Sequence, residues 1–271
     1  MQRSLSERLF TGFLISLLVI LGLTGCKSEN IKNVYEEAQQ KNAALDCIDM
    51  DMKMVMDISM NSGDSVIVNT NSNSKISGLK EKKDISMQMN MVYNSVSDEE
   101  NTNDDSAPET DDIMMNYYYA DGYYYTDMLG QKTKYAMSIE EIIKQTESSI
   151  QTDNLQVDAL EDLTMEKDGN SKILKFTLNP EKATGITDSV QSQLKTLLGN
   201  ADVKIVIESG SGTITVNKDG YISAQSVKMV CKASAEEQEI TLEIDMDITN
   251  NNPGQVIEIE KPVDADYTEI K

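Results

Sequence analysis

The stretch Asp49–Met60, DMDMKMVMDISM, places methionine at every second position. Met50, Met52, Met54 and Met56 share one parity, continued by Ile58 and Met60, while Asp49, Asp51, Lys53 and Asp57 take the other. Only a strand satisfies a period of two; on a helix the same methionines would scatter around the whole circumference. The pattern predicts a strand with a buried methionine face and a wet aspartate face. KDISMQMNMVYN (83–94) repeats it with Ile85, Met87, Met89 and Met91. EITLEIDMDIT does so with Ile240, Leu242, Ile244, Met246 and Ile248.

Between these segments the chain reads as a long antiparallel meander. Ile31, Val34, Tyr35, Ala38, Asn42 and Leu45 form a helical stripe over about 30–45. SVIVNTNSNSKIS (65–77) is a polar strand, expected near a sheet edge. In NYYYADGYYYTD, Asp121-Gly122 between two aromatic runs is a two-residue hairpin signal, which sets Tyr119 opposite Tyr124 and Tyr118 opposite Tyr125. A strand at 132–137 follows. Ser138 with Glu141 is a capping box opening a helix that carries Ile139, Ile142, Ile143 and Ile150. The second half repeats the plan. Strands near 161–168 and 171–179 flank Gly169-Asn170, and a helix carries Ile186, Val190, Leu194, Leu197 and Leu198. Strands follow at about 202–217, 221–234, 238–250 and 255–260. Gly210-Ser211-Gly212 shifts the apolar parity between Ile205/Ile207 and Ile214/Val216, as a bulge would.

The ends and the charges narrow the class. Arg3 and Arg8 precede an uncharged, mostly aliphatic run, Leu9–Gly25, which closes in Leu23-Thr24-Gly25-Cys26. So short an apolar run behind basic residues reads as an export signal, and its ending as a lipobox. The expected organisation is a lipoprotein signal peptide at 1–25, a lipidated tether at 26–30 with Cys26 as the anchor, and one domain over 31–271. Residues 96–112, VSDEENTNDDSAPETDD, hold eight acids and no base, the composition of a disordered loop. The expected location is the extracytoplasmic face of the cell membrane.

Net charge is −22, histidine and tryptophan are absent, and Arg3 and Arg8 are the only arginines. Without a basic stripe, nucleic-acid binding is excluded as a class. Without histidine, the Ser-His and Cys-His arrangements of nucleophilic catalysis are unavailable. No glycine loop cradles a phosphate. The carboxylates alternate with apolar residues, as on a solvated sheet face. The reading is a non-enzymatic protein with no cofactor and no carboxylate or histidine metal site. Compartment leaves a Cys47–Cys231 disulfide open, but parity does not favour it. Cys47 goes with Asp49 and Asp51, whereas Cys231 goes with Val227 and Met229.

The methionines admit three readings. They fill a core, since an unbranched thioether packs irregular gaps. They line a groove for flexible acyl chains, for which the same softness suits an adaptable surface. Or they bind Cu(I), the ion that thioethers select. Neighbouring methionines on one strand face lie about 7 Å apart by strand rise. One strand alone therefore cannot close a coordination sphere, although two facing ladders can.

The order is lipobox, tether, helix, curved meander, Asp-Gly hairpin, helix and further meander. It is carried by DMDMKMVMDISM, NYYYADGYYYTDMLGQKTKYAM and VKMVCKASAEEQEITLEIDMDITNNN. This order resembles the lipoprotein-carrier superfamily of LolA/LppX type, most closely lipoproteins of Gram-positive bacteria that share the shape. The resemblance implies an α+β fold, a strongly curved antiparallel β half-barrel of about 11–12 strands with helices on its concave side. It also implies a lipid or other apolar ligand in that concavity. The groove candidates are Met50, Met52, Met54, Met56, Met87, Met89, Met91, Ile240, Leu242 and Ile244. The chain departs from the chaperones of this superfamily in lacking the arginine that latches their lid, which argues against handing lipoproteins to an outer membrane. The competing reading is a surface-exposed scaffold or sensor domain without a ligand cavity.

Replacing Cys26 with serine should release the protein from membranes, because the lipobox is the one anchor visible in the sequence. Fractionation after a salt wash checks this, and a variant that stays fully in the membrane pellet would sink the lipobox reading.

Overall fold

The computed structural model describes residues 30–63, 65–80, 85–97, 112–142, 155–183, 203–235 and 238–270. Residues 1–25, read above as a signal peptide, Cys26, the acidic run 98–111, Ile143, Ile150 and the stripe from Ile186 to Leu198 lie outside the described residues. One helix, α1 (Ile31–Ala43), precedes eleven strands. These are β1 (Ile48–Met60), β2 (Ser65–Ser77), β3 (Ser86–Ser97), β4 (Ile113–Ala120), β5 (Tyr123–Met128), β6 (Gln131–Ala136), β7 (Leu160–Asp168), β8 (Ser171–Leu178), β9 (Val203–Val216), β10 (Ile222–Ala235) and β11 (Gln238–Asn250). A two-residue strand, β12 (Thr268–Glu269), completes the set.

All twelve strands belong to one open, curved sheet in the order β12-β6-β5-β4-β3-β2-β1-β11-β10-β9-β8-β7. Every pairing is antiparallel except that of β12 with β6. The sheet is two meanders, β1 to β6 and β7 to β11. The first strand of one pairs with the last strand of the other, from Met50 opposite Asn250 to Met60 opposite Ile240. The polar strand β2 is therefore interior, between β1 and β3, and not near an edge.

Local chemistry accounts for the turns. Asp121 and Gly122 both have positive φ, 54° and 80°, as a type I′ turn demands, and Tyr119 does face Tyr124 and Tyr118 does face Tyr125. The capping box forms at Ser138. Its hydroxyl accepts from the Glu141 amide at 3.2 Å, and the Glu141 carboxylate accepts from the Ser138 amide at 2.9 Å. In β9 the parity shift is a bulge. Cys231 faces Ile207 while Val230 faces Ser209, leaving Glu208 as the extra residue. The two glycines beyond it serve packing. A Cβ on Gly210 would lie 2.5 Å from Leu178 Cδ1, and one on Gly212 would lie 2.6 Å from Phe176 Cζ. Both side chains of β8 thus lie across the bare backbone of β9.

The segment 255–260 is not a strand. Both edges of β11 are already taken, by β1 and β10, so the chain has no partner there and leaves the sheet. It crosses to the far edge as an extended strap. Lys261 bonds Asp121 at 2.8 Å, and Asp264 accepts from the Tyr125 hydroxyl at 3.0 Å and from Lys134 at 2.5 Å. Tyr267 meets the edge of the Tyr125 ring, with centroids 5.1 Å apart, before β12 adds in parallel to β6.

Two apolar clusters form the core. In the larger, Val34, Tyr35 and Ala38 of α1 pack with Met56, Leu242, Ile244, Cys231, Ile214 and the Phe176–Leu178 pair. The Tyr35 hydroxyl donates to the Leu155 carbonyl at 2.6 Å. Asn42 grips residue 222 at both backbone groups, at 2.9 and 3.2 Å, fixing the end of α1 to the start of β10. The smaller cluster gathers Ile76, Ile85, Met87, Tyr119, Met137 and Ile142. Among the described residues no helix is long and apolar enough to cross a membrane.

Gly212→Ala should destabilise the fold by roughly 2–3 kcal/mol, the usual cost of forced overpacking. The added methyl would meet the Ser226 carbonyl oxygen at 2.4 Å, and backbone cannot step aside cheaply. Gly130→Ala, with open space but a φ of 80°, should cost about 1 kcal/mol from backbone strain alone. Thermal denaturation of the two variants separates these costs.

Candidate functional site

Paired residues on neighbouring strands present their side chains to the same side of a sheet. The register therefore settles where the sequence candidates stand. Ile240, Leu242 and Ile244 face Met60, Ile58 and Met56; Met246 faces Met54, and Ile248 faces Met52. Across β2, Met50 faces Ser74, Met52 faces Ser72 and Met54 faces Thr70. Across β3, Ser74 faces Met89, Ser72 faces Met91 and Ile76 faces Met87. All ten candidates share one face of one sheet.

They do not share one environment. Met56, Ile240, Leu242 and Ile244 belong to the larger cluster with α1, and Leu242 is 0% exposed. Met54 packs against that cluster, and Met87 belongs to the smaller one. Met50, Met52, Met89 and Met91 belong to neither and are half-buried. Between them β2 contributes only Ser72 and Ser74, with Thr70 one step along. Ser74 is 4% and Thr70 7% exposed. A serine flanked on both sides by methionine is overtopped by longer side chains, so β2 floors a band with thioethers on both walls. The band continues outward. Met91 faces Met115 and Met89 faces Tyr117 on β4, and Met115 faces Met128 on β5. Tyr117 donates to the Met115 sulfur at 3.2 Å.

The opposite face is polar but not simply wet, as the alternation led one to expect. The Asp51 carboxylate accepts from the side-chain amides of Asn251 and Asn73, both at 2.8 Å, while Asp49 receives the same two at 3.3 and 3.4 Å. These amides, Asn251 before Asn73, hold the Asp51 carboxyl below the ordinary range. Farther along, Val55, Asp57, Gly210, Lys228, Glu243 and Asp245 line an open depression of about 450 Å³, paired across by Lys228 and Asp245. Of the groove candidates only Ile244 reaches it, so this depression is not the methionine band.

The chain belongs to DUF6612, a family of unknown function. The family match spans residues 30–267. No curated protein matches the sequence. Among solved structures this DUF6612 chain is similar to the lipoprotein LppX of Mycobacterium tuberculosis, with 9% identity and a TM-score of 0.39, over 85% of this chain and 98% of that one. It is similar to LprF of Mycobacterium bovis at 10% identity and a TM-score of 0.40, over 86% and 96%. A LolA superfamily protein of Nitrosomonas europaea aligns at 8% identity and a TM-score of 0.23, over 83% and 95%.

The reactive groups of this DUF6612 chain are subdued. Cys47 is half-buried and Cys231 buried, and both are free thiols; burial pushes the Cys231 thiol up. Burial likewise pushes Tyr124 up to about 12 and raises Tyr35 further, so both phenols stay protonated at neutral pH. Among the described residues no three His, Cys, Asp or Glu side chains gather closely enough to hold a metal ion. Sequence reasoning did not single out Ser72, Ser74, Met115 or Met128. The shared parity of Met115 with Tyr117 and Tyr119 was the signal for the third, whereas the others needed the register.

The Asp51 amide clamp makes a pH prediction. A carboxyl whose folded pKa is depressed contributes stability that is present above its unfolded pKa and lost as pH falls through the folded value. Asn251→Ala should raise the Asp51 pKa part of the way toward the ordinary range, since Asn73 still donates to it, and reduce that contribution, leaving stability less steep with pH on the acid side. A carboxyl-detected NMR titration of the two proteins checks the shift.

Proposed function

We propose that this protein is a non-enzymatic, lipid-anchored binding protein of the extracytoplasmic membrane face. Its methionine face holds a flexible apolar ligand of the acyl-chain class. In this reading residues 31–271 form one half-barrel, Cys26 carries the anchor through the 26–30 tether, and α1 sits on the concave side. The observation that carries it is the band between the two clusters, where Met50, Met52, Met89 and Met91 stay half-buried over a Ser72–Ser74 floor. A core under selection for stability alone would fill such a strip with branched aliphatic side chains, as it does at Leu242, Ile244 and Ile214. Soft unbranched thioethers suit a ligand whose shape varies along its length. An apolar lining with a few placed polar groups, here Ser72 and Ser74, is also the common form of small-molecule sites.

The second reading is a scaffold or sensor domain without an apolar ligand, for which the open depression beside Lys228, Glu243 and Asp245 offers a charged surface. The two differ in one measurement. The chain from residue 27, exported and purified without detergent, should carry a lipid-sized adduct in native mass spectrometry and should bind a fluorescent fatty acid. Met89→Trp should weaken that binding at least tenfold at little cost in melting temperature, because an unfilled strip accepts added volume that a packed core does not. Absence of adduct and probe binding, together with unfolding of Met89→Trp, would establish the scaffold reading instead.

A further inference from the structure

Three methionines stand side by side on consecutive strands. Met91 of β3 faces Met115 of β4, and Met115 faces Met128 of β5. Their side chains emerge on the same face with neighbouring Cβ atoms about 4.5–5.5 Å apart. Each reaches its sulfur through flexible single bonds. The two outer thioethers can therefore lean inward until three sulfurs surround one point above Met115. The alternation within a strand never achieves this, since its methionines lie about 7 Å apart.

The surroundings are those of a site and not of packing. None of the three belongs to either apolar cluster. Met128 is 44% exposed, at the mouth of the Leu129-Gly130 turn, so an ion has a direct approach. The Met115 sulfur accepts from the Tyr117 hydroxyl at 3.2 Å, a contact that a bound ion would replace. A neutral, soft, three-thioether set discriminates strongly. Hard cations require oxygen, and divalent zinc prefers imidazole and thiolate, whereas thioethers hold monovalent copper. The net charge of −22 raises the local concentration of any cation without selecting among them.

We infer that Met91, Met115 and Met128 form a surface site for a single soft monovalent cation, Cu(I), with Ag(I) as its redox-inert equivalent. The site shares Met91 with the apolar-ligand strip, whereas Met115 and Met128 stand at its outer margin, so Met128→Leu tests the ion site without altering the strip. Binding is ligand exchange only. The ion gives up water or a small carrier ligand, and no electron moves.

The test uses the full chain in detergent, with Cys26→Ser and Cys47→Ser removing accessible thiols. The probes are Ag(I) alone, and Cu(I) kept reduced by ascorbate without oxygen, in competition with a chromophoric chelator. One ion per chain should bind. In spectra of methyl-labelled methionine, the Met91, Met115 and Met128 signals should move together on adding Ag(I), and those of Met54 and Met246 should not. Met128→Leu, at an exposed position that cannot unfold the chain, should weaken binding at least tenfold; Met115→Leu, which conserves volume, should do the same. Met246→Leu should leave it unchanged. Absence of binding, equal affinity in Met128→Leu, or movement of a different set of methionine signals would each overturn the site.

Discussion

Everything on the apolar face depends on the pairing of β1 with β11. Each meander alone is an open sheet with two free edges. Joining them between Met50/Asn250 and Met60/Ile240 turns two half-sheets into one and removes an edge from each. Because pairing in register keeps parity, the join also makes the methionine side of β1 continuous with the Ile240–Ile248 side of β11. A slip of one residue would set Met56 against a residue whose side chain points the other way. Burial of Met56 and Leu242 in the larger apolar cluster penalises that slip.

From that join the two directions diverge. Toward β7 the face is closed by α1 and by Phe176 and Leu178, which lie over glycine backbone on β9. Toward β6 it is closed again by the cluster around Tyr119 and Met87. Between the two closures the face carries serine and methionine instead of branched aliphatics. That strip is where the fold leaves apolar surface without a described partner cluster, and both functional inferences arise from it and from its outer margin.

The other face obeys a different logic. Its carboxylates are held by amides at Asp49 and Asp51 and by lysines at Asp245 and Asp264. The strap from Asn251 to Tyr267 runs from the central β11 to the far edge and ties down β5 and β6 through Asp264, Lys261 and Tyr267. The short edge strand β12 then covers part of β6.

The alternation of Met50 to Met56, the Asp121-Gly122 turn, the capping box at Ser138 and the parity break in β9 were all legible in the sequence, because each depends on residues near one another in the chain. So was the shared face within each strand, since the strand period is a local property. Which strands would meet was not legible. The interior position of β2 and the Met91–Met115–Met128 row follow from the successive pairings of β1 to β5, and the failure of 255–260 to pair follows from β1 and β10 having taken both edges of β11. The amide clamp on Asp51 likewise needs Asn73 and Asn251, brought from far along the chain. Alternation says which residues look the same way along one strand, and only tertiary pairing decides which strands stand beside it and how deeply that face is covered.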